Sequence, residues 1–146
     1  MAIEQDSTNE ASPQIAEGVP EDIAQKYRAL AQERGYHFGS FEWLGERDPE
    51  FERARLALVD MTYTRADGDI PKIYRELIAC GVLAFRTYPS LKKHLARALR
   101  EGATVEQVVQ AMQIASIPGG MATLHFALDE LVKLEQEQPE LFKRDD

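Results

Sequence analysis

The chain has 146 residues, enough for one domain with a real core, and its 17 Lys and Arg against 25 Asp and Glu give a formal net charge of -8. With a pI near 4.9 and its basic residues spread among carboxylates, it has no cationic stripe to displace counterions from phosphates, which argues against a nucleic-acid or acidic-membrane partner. Cys80 is the only cysteine; an intramolecular disulfide, a CxxC redox pair and a Cys-rich zinc site are excluded, and a reducing, cytoplasmic setting is expected.

Residues 1–19 are polar and acidic with little to bury, so a disordered or loosely attached arm is expected there. The segment has neither the basic start nor the apolar core of a secretory signal, and no run elsewhere is long enough to span a bilayer. A single all-helical domain is expected over residues 20–138, followed by a frayed tail over 139–146. Pro20-Glu21-Asp22 opens a helix with Ile23, Tyr27, Leu30 and Ala31 on its apolar stripe, and Gly35 stops it. The next stretch, YHFGSFEWLGERD, gathers Tyr36, Phe38, Phe41 and Trp43 with weak periodicity; it reads as an aromatic loop that closes a helix bundle or touches a second subunit, with lining a substrate as the alternative. His37 within it shows no partner and reads as a surface residue.

Asp48-Pro49-Glu50 is a compact helix start, after which Phe51, Ala54, Leu58 and Met61 repeat at helical spacing. The organising stretch of the chain is Ile70 to Gly120, three apolar helical segments separated by two joints. The first segment, with Ile73, Tyr74, Leu77, Ile78 and Val82, is apolar almost all round and must be buried on several sides. Glu76 sits inside it, and burial makes that carboxylate costly unless an Arg, a His or another donor meets it.

The first joint, Arg86-Thr87-Tyr88-Pro89-Ser90, ends four residues before His94. His94 then lies with Leu91, Leu95, Ala98 and Leu99 on the apolar face of the next segment, opposite Lys92, Lys93, Arg97 and Arg100. The second joint is a stop and a start: Gly102 suits a left-handed cap, and Thr104 with Gln107 makes a capping box. A third segment ends at Ile117-Pro118-Gly119-Gly120. The last helix places Met121, Leu124, His125, Leu128, Leu131 and Val132 inward. Nothing alternates with period two for long enough to be a strand, so the fold class is all-α, a bundle of about six helices joined by short loops.

Taken together, Arg75-Glu76-Leu77-Ile78, the run His94 to Thr104, the Gly119-Gly120 joint and the Asp48 to Phe51 helix start resemble the carboxymuconolactone decarboxylase family, which also contains the alkylhydroperoxidase D-like proteins. The resemblance covers about Asp48 to Leu134. The family's redox branch carries a CxxCxxxH motif, and counting back from His94 puts Thr87 and Ser90 at its two cysteine positions. Without thiols neither can form the disulfide, so the peroxidase chemistry is excluded, and Cys80 lies too early in the chain to replace them. The resemblance therefore implies the decarboxylase-like branch: an oligomeric helical protein, trimer or hexamer, with cofactor-independent proton chemistry on a small carboxylated lactone or related acid. Pro89 in the joint, Met121 after Gly120 and His125 depart from the family's pattern.

On this reading His94 is the general acid or base and Glu76 orients it or takes a second proton step. Arg86 would hold the anionic group of the substrate, Thr87, Tyr88 and Ser90 would donate hydrogen bonds, and His125 would complete the pocket. Two inward histidines and a glutamate also make up the ligand count of a catalytic metal. They stand on three helices with no HxxxH or HxxE spacing, so no metal is expected. The competing reading is a non-catalytic helical subunit or ligand-binding protein with His94 walled off from solvent.

Overall fold

The computed structural model describes residues 13–143. Among them are seven α-helices and one 3-10 turn: α1 Glu21–Arg34, α2 Gly39–Arg47, α3 Pro49–Met61, α4 Lys72–Phe85, α5 Leu91–Arg100, α6 Val105–Gly119, α7 Met121–Glu137, and the turn Pro139–Phe142. No strand occurs among the described residues. No helix among them is long and apolar enough to cross a membrane. The helices gather into two compact units, one ending at Met61 and one beginning at Thr62.

In the first unit α1 and α2 both pack on α3. Its core is Val19, Ile23, Ala24, Tyr27 and Leu56, with Ile15, Ala16, Leu30 and Phe41 against it. Of the aromatic stretch expected as a loop, Tyr36 to Phe38 are non-helical and Gly39–Arg47 is the helix α2, because Phe41, Leu44 and Gly45 fall on one side of a helical turn and can be covered together. The arm expected over 1–19 lies outside the described residues as far as residue 12. From Pro13 on it is attached: Ile15 and Ala16 join the core, and the Ala16 N–H donates to Glu42 Oε2 at 3.0 Å. His37 is not a surface residue either. Its Nε2 lies 2.6 Å from Glu42 Oε1, and its ring packs on Tyr27 with centroids 4.8 Å apart.

The second unit surrounds α4 and α5. Helix α4 packs on α5, α6 and α7, and α5 also meets α6, α7 and the 3-10 turn. The core runs through Cys80, Ala84, Leu91, Leu95, Ala98, Val108, Met112, Ala127, Leu131 and Leu134. The stop between α5 and α6 is a Schellman cap: the Ala103 N–H donates to Ala98 O at 2.9 Å and the Gly102 N–H to Leu99 O at 3.1 Å, with Gly102 at φ 99°. Thr104 and Gln107 then form the capping box, at 3.1 and 2.9 Å, so the chain reverses direction without stranding backbone groups. Of the expected tail, Leu141 and Phe142 pack against the core, and residues 144–146 lie outside the described residues.

The last helix keeps Leu124 and Leu131 against the core as expected but turns the rest of its expected inward face outward. Thr123, Ala127, Glu130, Leu131 and Leu134 are its buried positions, whereas Met121, Leu128 and Val132 are exposed. His125, expected inward, goes outward with them; its side chain is 81% exposed and its Nε2 lies 3.5 Å from Asp129 Oδ2, one turn on. The small residues Thr123 and Ala127 allow the closer approach, and Gly119 allows it too, since a Cβ there would collide with Thr123 Oγ1 and stand 3.0 Å from Phe85.

Candidate functional site

Three elements of the second unit bring a polar cluster into its core. Glu76, one turn before Cys80 on α4, is 1% exposed. His94 on α5 places Nδ1 3.1 Å from Glu76 Oε2. Arg97, three residues after His94 and so on the same side of α5, places Nε 3.0 Å from Glu76 Oε1. Tyr63, in the segment between α3 and α4, brings its hydroxyl to 3.1 Å from His94 Nδ1, and its ring stands edge-on to the imidazole. The Arg97 guanidinium lies 5.3 Å from the Tyr63 ring centre, which closes the four residues into a cycle.

The electrostatics of this cycle turn on Glu76. Burial alone would raise its carboxyl, but hydrogen bonds from His94 and Tyr63 and the positive charge of Arg97 outweigh it and hold the group below its ordinary value of 4.5. An ionised carboxylate only accepts hydrogen bonds. Nδ1 of His94 must then carry a proton and donate it to Glu76, so the basic nitrogen of a neutral His94 ring is Nε2. The His94 side chain is 15% exposed, which leaves the ring an edge toward solvent while the carboxylate behind it has almost none.

Sequence reasoning missed Arg97 and Tyr63. Arg97 was expected outward with Lys92, Lys93 and Arg100, yet it is 3% exposed, because α5 is covered on several sides and Leu95 through Leu99 are all buried. Its spacing of three from His94 was the available signal. Tyr63 belongs to no motif or periodic stripe of the sequence.

The joint residues are placed differently from the cluster. Arg86, Thr87 and Tyr88 are exposed on the turn that follows α4, and Ser90 is half-buried at the residue before α5. Thr87 has φ 48°, a left-handed conformation that a β-branched residue rarely adopts, and its Oγ1 donates to Arg86 O at 2.8 Å. His125 stands apart, exposed on α7. Cys80 is fully buried, and burial together with the Glu76 charge pushes its thiol well above the ordinary thiol range, which keeps it from acting as a thiolate. Among the described residues no group of three or more His, Cys, Asp or Glu side chains could hold a metal ion.

A second feature is an apolar groove of about 750 Å³ along α4 and α6, whose walls include Tyr74, Ile78, Val82, Phe85, Ile114 and Pro118. Neither His94 nor Glu76 lines it. Ile78, Val82 and Ile114 are each more than half exposed. The side of α4 expected to be covered is therefore open in the single chain.

The family model described as the carboxymuconolactone decarboxylase family matches residues 49–133. Among solved structures, a provisionally named carboxymuconolactone decarboxylase from Burkholderia xenovorans LB400 superposes with a TM-score of 0.68 at 21% identity, over 84% of this chain and 98% of that one. At that identity the likeness speaks for the fold alone. No curated protein matches the sequence.

Proposed function

This chain belongs to the carboxymuconolactone decarboxylase family, and we propose that it is a cofactor-independent lyase in which His94 moves the proton and Glu76 fixes the imidazole. The observation that carries the reading is the 3.1 Å approach of His94 Nδ1 to a buried, ionised Glu76. A carboxylate in that position holds the proton on Nδ1 and keeps Nε2 as the nitrogen that takes and gives the proton. For a small carboxylated lactone the step is simple. The bond to the carboxylate carbon breaks, CO2 leaves, the electron pair moves into the adjacent unsaturated system as an enolate, and protonated His94 delivers its Nε2 proton to carbon. Arg86 on the exposed joint would receive the anionic end of such a substrate, and Thr87, Tyr88 and Ser90 would supply donors to it.

The test is a binding and turnover screen of small aromatic and lactone carboxylates against the wild type and His94→Ala. Turnover should fall by roughly 10²- to 10⁴-fold, the usual contribution of a positioned acid-base group, with the melting temperature little changed. A panel in which no compound binds the wild type, with gross destabilisation of the variant, would support the non-catalytic helical subunit instead.

The same proposal includes a homo-oligomer, trimer or hexamer. The open apolar walls of the α4/α6 groove, with Met121 and Val132 exposed on α7, form the kind of surface that subunits cover. Ile78→Glu should shift the sedimentation coefficient toward the monomer. An unchanged coefficient would remove this face from the assembly.

A further inference from the structure

Tyr63 belongs to no helix, so its place beside His94 needs a separate cause. It lies in the segment 62–71, and that segment is gathered by a single side chain, Arg75, the neighbour of Glu76 on α4. Arg75 Nε donates to Ile70 O at 2.6 Å, and its Nη1 donates to Tyr63 O at 3.0 Å and to Arg65 O at 2.7 Å. Three carbonyls from one loop thus converge on one planar fork, an arrangement a lysine ammonium on its flexible stem does not reproduce. A second observation points the same way. A Cβ at Gly68 would stand 2.5 Å from Arg75 Nη2 and 3.0 Å from Arg65 Cγ, so the glycine is the space in which the guanidinium lies. The far end of an arginine usually yields to such a clash, but this one is held on three sides.

We propose that Tyr63 is a positioning residue of the His94 and Glu76 site, and that Arg75 sets it there by clamping the segment 62–71 to α4. Glu76 and Arg75 are consecutive on α4 and divide the work: one side chain meets the imidazole, and the other fixes the loop that brings a hydroxyl to the same nitrogen. The hydroxyl has two uses. It donates to the Glu76 carboxylate, which favours the ionised form, and it closes off the Nδ1 side of the ring. The ring meanwhile lies against the Arg97 guanidinium, so displacing Tyr63 loosens both partners of Glu76. This inference rests on the proton-transfer reading only for its effect on turnover.

The decisive experiment is nuclear magnetic resonance on the full chain, with labelled imidazole nitrogens and glutamate side-chain carbons and no ligand added. In the wild type at neutral pH the His94 nitrogen shifts should report a proton on Nδ1. In Tyr63→Phe the Glu76 carboxyl should titrate at higher pH than in the wild type, because burial remains while one stabilising hydrogen bond is gone. Arg75→Gln should move it in the same direction, and Gly68→Ala, which leaves every polar partner in place and only displaces the guanidinium, should do so by less. Where a substrate is in hand, kcat should drop about tenfold in Tyr63→Phe, as for loss of one hydrogen bond to a charged group. An unmoved Glu76 titration in Tyr63→Phe overturns the role given to Tyr63. A shift in Tyr63→Phe with none in either Arg75→Gln or Gly68→Ala overturns the clamp. If Arg75→Gln does not fold, Gly68→Ala decides alone. The nitrogen and carboxyl signals require no turnover, so they test the roles of Tyr63 and Arg75 even in a chain that acts on no carboxylate.

Discussion

Glu52 in the first unit and Glu76 in the second are both removed from solvent, and each is met by an arginine and a tyrosine. Arg55 grips Glu52 through both oxygens at 2.7 and 2.6 Å, and the Tyr27 hydroxyl lies 2.7 Å from Oε1. Arg97 meets Glu76 at one oxygen only, Nε to Oε1 at 3.0 Å, and Tyr63 supplies the hydroxyl. The third partner differs. Glu52 has its arginine fork closed over the Phe41 ring, 3.6 Å from the ring centre, and the nearby His37 turns its Nε2 to Glu42. Glu76 has His94, whose ring keeps an edge toward solvent. A buried carboxylate saturated by a guanidinium fork is a structural joint, whereas one whose partner can carry a proton to the surface can do chemistry.

The largest effect expected from this contrast is on stability. Glu52→Ala leaves the Arg55 charge without its acceptor, with the Tyr27 hydroxyl falling back on Phe41 O, and should cost about 3–5 kcal/mol in urea unfolding, while the His94 nitrogen shifts of the folded protein stay as they are. A change in those shifts would mean that the two carboxylates are not separate devices.

Glu76→Gln should be milder, about 1–3 kcal/mol at neutral pH, since the amide keeps one acceptor for Arg97 and His94. Its distinguishing mark is pH dependence. The folded Glu76 carboxyl lies below its ordinary value of 4.5, so its contribution is fully present above that value and is lost as the pH falls through the lowered folded one. The variant should therefore flatten the acid limb of the stability curve below about pH 4.5. An acid limb identical to that of the wild type would place the acid sensitivity elsewhere.

The smallest effect concerns strain. Thr87 is the one non-glycine residue with positive φ among the described residues, and it stands in the joint that precedes His94. Thr87→Gly should raise stability by about 0.5–1 kcal/mol, the left-handed penalty less the entropy of glycine, read as a higher melting temperature. A lower one would show that the Thr87 side chain contributes more than its backbone costs.

The sequence made some of this legible and hid the rest for physical reasons. Helix caps depend on a few adjacent residues, so the Thr104 box and the Gly102 stop could be read directly. Glu76 stood out because a charge inside an apolar helix demands a partner, and the structure brings it to His94 and Arg97. The arginine escaped notice because a helical wheel assigns charges outward, and only the packing of α5 on several sides reverses that. His125 failed in the opposite sense. The apolar stripe of Met121, Leu128 and Val132 is real, but α7 turns Thr123, Ala127, Leu131 and Leu134 to the core and leaves that stripe open in the single chain. Tyr63 depends on a loop clamp, and no local pattern announces an arginine that collects three carbonyls.

The most direct test of the contrast is CO2 release from a carboxylated lactone, measured at neutral pH for the wild type, Glu76→Gln and Glu52→Gln, each corrected for its folded fraction. Release by the wild type that is lost in Glu76→Gln and kept in Glu52→Gln is the result this account predicts. Equal release from the two variants would contradict it, because the histidine beside Glu76 would then make no difference to what a buried carboxylate does.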